Sequence, residues 1–330
     1  MALTLLSPGE LKDRGLDALE RIAARAVAEE AFQRDPAFIE ERLPLLGKLV
    51  DRYFASEVRG LEHLPEEGPF LLVANHSGGF LMPDVWALAS AMLERFGVDR
   101  VVYPLVFDFA LVVPGFGSTL RRLGAIPASV ANAERALAEG AGVLVYPGGD
   151  WEAYRPWTQR NRIDFHDHHG FVKLALREGV PVIPAVSHGS HDSLIVVTRG
   201  EDIGRALGLE RLRAQIFPFT FGVPFGLSPI FLPNLPYPAK IVVEVLEPVD
   251  WSHHDPGAAE EPDVVHGAYE EITGRMQGAL NRLVAERPHP VAARLADASG
   301  LTRVFGRNGG DAERDPADQP PARGRTPEPR

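Results

Sequence analysis

After Gly60 the chain alternates short apolar runs with longer stretches whose apolar residues return every three or four positions. The run Phe70 to Ala74 (FLLVA) is uncharged, which suits a strand covered on both faces. A helix is expected at about 84–96, then a strand over 101–106 (VVYPLV). A helix over about 109–122 is weakened by Pro114. After the short GAIPAS segment, Ser129 is a good N-cap for a helix over 130–139, closed by Gly140. A strand from Val143 to Tyr146, a helix at about 168–178 stopped by Gly179 and a strand over 181–186 come next. A late strand, Lys240 to Leu246, and a helix at about 262–286 complete the series. Repeated strand–helix units of this length predict the α/β class, a mostly parallel sheet flanked by helices. Such sheets take ligands beyond the C-terminal ends of their strands.

The pattern differs at the two ends. Leu11, Leu16, Leu19, Ile22, Ala23 and Val27 recur at helical spacing, and so do Phe38, Ile39, Leu43, Leu46 and Val50, with Pro44 expected to kink or divide the second stretch. The expected organisation is an N-terminal helical pair over 1–57, an α/β domain over 58–290 and a C-terminal segment over 291–330. From about residue 307 the Pro-, Gly- and charge-rich sequence predicts disorder. Residues 214–239 fit neither pattern: they carry no charge but hold six prolines and five phenylalanines. Proline at that density argues against a spanning helix or a central strand. The segment is either an ordered loop on the core or an apolar surface that dips into lipid headgroups, because so much exposed Phe is costly in water.

Composition narrows the function. The chain of 330 residues has a net charge of −11 and no cysteine. The negative balance argues against nucleic acid as a partner, and the lack of thiols removes disulfides, thiol catalysis and Cys-ligated zinc. The N-terminus lacks the pattern of a signal peptide, and no run of about 20 apolar residues points to a transmembrane helix. Together these predict a cytoplasmic protein with peripheral membrane association.

The candidate chemistry sits at Asn75-His76-Ser77-Gly78-Gly79, where the first strand ends, with Asp84 at the start of the next helix. A neutral imidazole with a reference pKa near 6.5 is suited to taking a proton from a hydroxyl. A second turn, Pro147-Gly148-Gly149, comes after the strand ending at Tyr146 and leads to Glu152 and Arg155. Both glycine turns can bring backbone N–H groups close to a ligand.

Four blocks in this order, ANHSGG followed by Asp84, LGAIPAS, VYPGGDWEAYRP and GVPVIPAV, resemble the glycerolipid acyltransferase superfamily. The likeness covers roughly Val58 to Val249. It is similar to the lysophosphatidic acid acyltransferases and more so to the branch with a PGG-type third block, the type-2 diacylglycerol acyltransferases. The resemblance implies transfer of a fatty acyl group from a thioester, acyl-CoA or acyl carrier protein as co-substrate, to a lipid hydroxyl. It implies His76 as general base with Asp84 in support, and no acyl-enzyme, metal or cofactor. Asn75, Ser77, Gly78, Gly79, Pro147, Gly148, Gly149, Glu152 and Arg155 are the corresponding substrate-binding candidates. The usual family spacing is His-x4-Asp, whereas seven residues separate His76 from Asp84, so the loop SGGFLMP must fold back for the two to meet. Arg155, Arg160 and Arg162 are either a phosphate grip or a solvated charged loop.

Two other readings stand beside this one. One is a lipid-binding module that keeps the fold without turnover. The other is a metal-dependent hydrolase using Asp164, His166, Asp167, His168 and His169. His188, His191 and Asp192 fall at the ligand edge of the sheet. The absence of a G-x-S-x-G elbow weakens a serine esterase.

Overall fold

The computed structural model describes residues 31–299, apart from 114 and 210–215, together with Asp17. The helix expected over about 8–34 lies outside the described residues except for Asp17, which is helical, and residues 31–34, which are not; the disorder expected from about 307 lies outside them. Residues 1–294 form one compact unit and 295–330 a second; the sheets and the candidate site belong to the first.

The central strands are β1 (Glu57–Arg59), β2 (Phe70–Ala74), β3 (Val102–Val106), β4 (Ile126–Pro127), β5 (Gly142–Val145), β6 (Val182–His188) and β10 (Val242–Val245). They form one seven-stranded sheet in the order β1-β10-β6-β2-β5-β3-β4. The run from β6 through β4 is parallel, while β10 is antiparallel to β6 and carries β1 with it. The expected α/β class is what the structure shows. The five residues of β2 are all buried, and successive side chains go to opposite faces. Leu71 and Val73 join one core, under Val130–Ala138, Gly170–Glu178 and Pro262–Glu286. Phe70, Leu72 and Ala74 join the other, with Val50, Phe54, Ala87 and Leu88. Two covered faces leave no place for a charge, which is why the strand reads as a continuous apolar run.

Several local expectations are corrected. Helix Pro36–Phe54 runs unbroken through Pro44. The carbonyl that Pro44 cannot pair with belongs to Glu40, on the exposed face, where water can satisfy it. This helix packs against Pro83–Phe96 within the main unit. The stretch at 109–122 forms two short helices, Asp108–Val112 and Phe116–Arg122, as Pro114 between them requires. The largest departure is at 214–239. It forms β8 (Phe219–Gly222) and β9 (Gly226–Pro229). These pair antiparallel with each other, and β8 pairs with β7 (Ile195–Thr198), making a separate sheet. The prolines flank β8 instead of interrupting it, so a four-residue central strand escapes the restriction inferred from their density.

Candidate active site

The loops after β6, β2 and β5 meet at one edge, because these three parallel strands are neighbours and all end there. Asn75 binds two of them together. Its side-chain Nδ2 donates to Ser187 O at 3.0 Å, and Ser187 N–H donates to its Oδ1 at 2.7 Å. The pair extends the β2–β6 ladder one step past the strand end, and places His76 at the rim.

His76 keeps part of its surface exposed, while its ring Nδ1 is buried without a hydrogen-bond partner. Its ring lies against Tyr146 at 4.7 Å between centroids. Burial lowers its pKa to about 4, so the imidazole is neutral at pH 7. Its backbone N–H donates to Glu152 Oε2 at 2.9 Å.

The direct bond between His76 and Asp84 is not formed. Gly78 (φ +79°), Gly79 (φ +59°) and Met82 (φ +44°) reverse the chain. The reversal returns Asp84 to Ser77, whose hydroxyl donates to Asp84 Oδ2 at 2.9 Å, while Val85 N–H donates to Oδ1 at 3.0 Å. Asp84 is buried, and burial pushes its pKa up to about 7 against the pull of Ser77 and the nearby amides. Its charge also acts, after burial, to raise the pKa of Tyr146, whose ring contacts His76. The carboxylate is therefore part of the same cluster without touching the imidazole. Both glycines of the turn are crowded: a Cβ at Gly78 would lie 2.7 Å from Pro83, and one at Gly79 would lie 2.6 Å from Leu194.

The second turn is built differently from the expectation. Gly149 N–H donates to Tyr146 O at 3.0 Å, so this amide is occupied within the turn. A Cβ on Gly148 would meet the Glu152 side chain at 2.6 Å, which makes glycine there a packing requirement. Pro147 O accepts from His168 Nδ1 at 2.9 Å. Glu152 and Arg155 lie on and just after the short helix Gly149–Ala153. Both are fully buried as a pair, with Arg155 Nη2 donating to Glu152 Oε1 at 2.6 Å. Arg155 also donates to Arg162 O. Burial pushes the Glu152 pKa up to about 7, opposed by Arg155 and by the His76 and Asp164 amides. Three donors around one carboxylate favour its ionised form. Arg155 is thus neither a solvated loop charge nor an exposed phosphate grip: its side chain supports Glu152. Arg160 pairs with Asp192 at 3.2 Å and lies 3.9 Å from the Trp157 ring centre.

The histidine-rich tract is dispersed. His166 stacks on Trp151 at 4.1 Å, and His169 packs on Tyr269 at 4.5 Å. Among the described residues no group of three or more His, Asp or Glu side chains is placed to hold a metal, so this tract offers no ligand set for the hydrolase alternative. Two residues of the site, Tyr146 and Arg199, are not among the candidate residues named from the sequence, although Tyr146 falls within the VYPGGDWEAYRP block. Arg199 Nε donates to Trp151 O at 2.9 Å and the guanidinium lies 3.9 Å from the Trp151 ring centre. Tyr146 has a usable signal as the last residue of an apolar strand run; Arg199, after β7, carries no local signal.

Residues 55–188 match the family model described as Acyltransferase. An uncharacterized protein of Mycobacterium tuberculosis is 29% identical over 260 residues, covering 78% of this chain and 70% of that protein. The bovine (Bos taurus) protein named "DGAT1/2-independent enzyme synthesizing storage lipids" is 28% identical, over 58% of this chain and 55% of its own length. Phytyl ester synthase 2 of Arabidopsis thaliana is 32% identical over 44% of this chain and 21% of its own. Residues 55–188 are an acyltransferase-family domain.

Proposed function

We propose that this chain moves a fatty acyl group from an acyl thioester, acyl-CoA or acyl carrier protein, to the hydroxyl of a lipid acceptor, with His76 as general base. The observation that carries this reading is a histidine with a neutral imidazole at the C-terminal edge of the central strands, its backbone N–H held by Glu152. As the acceptor oxygen attacks the thioester carbonyl, its proton passes to the His76 ring. The new ester C–O bond forms, the C–S bond breaks, and the thiolate leaves with the proton returned from the imidazolium. Asp84 supports that imidazolium by charge from behind Ser77. The oxyanion needs preorganised donors, and the Gly78–Gly79 turn is the one assigned, since the Gly149 amide is already engaged. Asn75, Ser77 and Pro147 shape the walls of the substrate site, while Glu152 and Arg155 position His76. The reaction requires no cofactor beyond the thioester co-substrate and no covalent intermediate on the protein. The enzyme acts as a peripheral protein at the cytoplasmic side of a membrane; no helix among the described residues is long and apolar enough to cross one.

The PGG third block and the relatives' names favour a neutral hydroxyl lipid over lysophosphatidic acid. Purified protein incubated with labelled acyl-CoA or acyl carrier protein, each crossed with neutral and phosphorylated acceptors, tests this. The expected product is an ester of a neutral acceptor. Ester formed only on phosphorylated acceptors would overturn the acceptor class, and no ester on any pairing would overturn the reaction.

A further inference from the structure

Strands β8 and β9 are inverted relative to strands whose outer face meets water, while β7 buries Val196 beside Thr220. Along β8 and β9 the buried positions are polar: Thr220, Ser228 and the adjoining Asn234 are 3%, 2% and 3% exposed. The outward positions are apolar: Phe221, Phe225, Leu227 and Phe231 are 51%, 51%, 62% and 66% exposed. Phe221 and Leu227 are direct cross-strand partners, so the apolar side chains form a face instead of scattered single residues. Asn234 satisfies the polar interior. Its Nδ2 has Gly226 O at 2.9 Å, Ser228 Oγ at 3.0 Å and Thr220 Oγ1 at 3.2 Å as acceptors for its two hydrogens, and its Oδ1 accepts from Phe225 N–H at 3.1 Å. Such a network fixes the strand register with the apolar side chains facing away from the protein. A one-residue slip would bury them, and the network prevents that slip.

From these observations we infer that the β7–β9 sheet is a bilayer-docking element that sets the active-site edge against the membrane. The inference rests on the acyltransferase function proposed for the site and names the surface that presents its lipid substrate. The occupant is argued from charge and position. No charged residue occurs between Ile216 and Ala239, so the face offers nothing to steer a protein partner or to hold an anionic headgroup, and it matches hydrocarbon. It is tied to the site: Tyr237 N–H donates to Ser193 O at 2.8 Å, three residues past Ser190, whose Oγ lies 3.2 Å from Ser187 Oγ. Leu194, just before β7, packs on Gly79. The outer residues Leu45, Leu49 and Tyr53 of helix Pro36–Phe54 are also exposed, and Tyr53 Oη donates to Pro236 O at 2.6 Å, which joins a second apolar stripe to the sheet.

The test is flotation of the purified full chain with phosphatidylcholine vesicles, with and without anionic phosphatidylglycerol, at low and high salt. Wild type should float with the zwitterionic vesicles, and high salt should not release it. The triple variant F221S/F225S/L227S should lose binding at least tenfold, with its melting temperature unchanged, since the altered side chains are exposed. A Phe225→Trp variant should show a blue-shifted emission when vesicles are added. Absence of flotation, salt-sensitive binding that requires phosphatidylglycerol, or a wild-type dimer that the triple variant dissociates without loss of vesicle binding would each overturn the proposal. Because flotation needs no turnover, a chain that binds vesicles but transfers no acyl group would count against the reaction alone. A chain active on a dispersed short-chain acceptor but unable to float would count against the docking surface alone.

Discussion

The two sheets of this molecule solve opposite problems with similar residues. In the seven-stranded sheet, the apolar side chains of β2 are sealed between two layers of helices, and the polar residues of the site begin just past its end. In the three-stranded sheet, Thr220, Ser228 and Asn234 occupy the interior while phenylalanine and leucine face outward. The first sheet creates a dry wall with chemistry along its rim. The second presents a greasy face beside that rim. Under the proposed acyl transfer the pairing has a physical logic: one sheet would position the proton chemistry and the other would meet the hydrocarbon tails.

The contrast is sharpest at the charge buried on the rim. Glu152→Ala leaves the Arg155 guanidinium buried without its partner, which costs about 3–5 kcal/mol and frees the His76 N–H from its acceptor. Chemical denaturation should register that loss. Glu152→Gln keeps an acceptor for the amide, so it should retain more kcat than the alanine variant at similar KM. Next come matched truncations in the two sheets. Leu72→Ala, in the sealed interior, should cost about 2–5 kcal/mol. Leu227→Ala, on the outward face of the small sheet, should change stability by no more than about 0.5 kcal/mol. Equal losses would mean that the face is covered and the two sheets are not opposites.

A smaller effect comes from pH. Asp84 has a folded pKa raised to about 7 by burial, above the ordinary carboxylate value. The fold therefore prefers its protonated form, and the associated stability is lost as pH rises from the ordinary carboxylate range through about 7. Between pH 6.5 and 8 the wild type should lose about 1 kcal/mol from this group. His76, with its pKa lowered to about 4, contributes in the opposite sense and only as pH falls below about 6.5. Melting temperatures across the neutral range should therefore decline more steeply for wild type than for Asp84→Asn. Equal slopes would place Asp84 in a wetter setting than its burial behind Ser77 implies.

Much of the large sheet is legible in the chain because its signals are local. The uncharged FLLVA run, the Ser129 cap and Gly179 after Gly170–Glu178 each act within a few residues of themselves. His76 is likewise readable from its place at a strand end. Long-range choice is not readable in this way. Asp84 turns back to Ser77 instead of the imidazole because Gly78, Gly79 and Met82 all take left-handed backbone conformations, and no spacing rule states where such a loop points. Glu152 reads as one more carboxylate near a turn, yet its role comes from a strand neighbour, with His76 lying 76 positions earlier in the chain. The small sheet is hidden for a different reason: proline counts describe a whole window, while β8 needs only four proline-free residues.

The most direct test of the catalytic claim is the rate of ester formation by wild type and His76→Ala at saturating thioester, with the melting temperature of both recorded. Removing a general base should lower kcat by about 10²–10⁴ while the fold remains intact, because the imidazole makes no hydrogen bond through Nδ1. A folded His76→Ala enzyme that forms ester within a few-fold of the wild-type rate would contradict the assignment of His76 as the base.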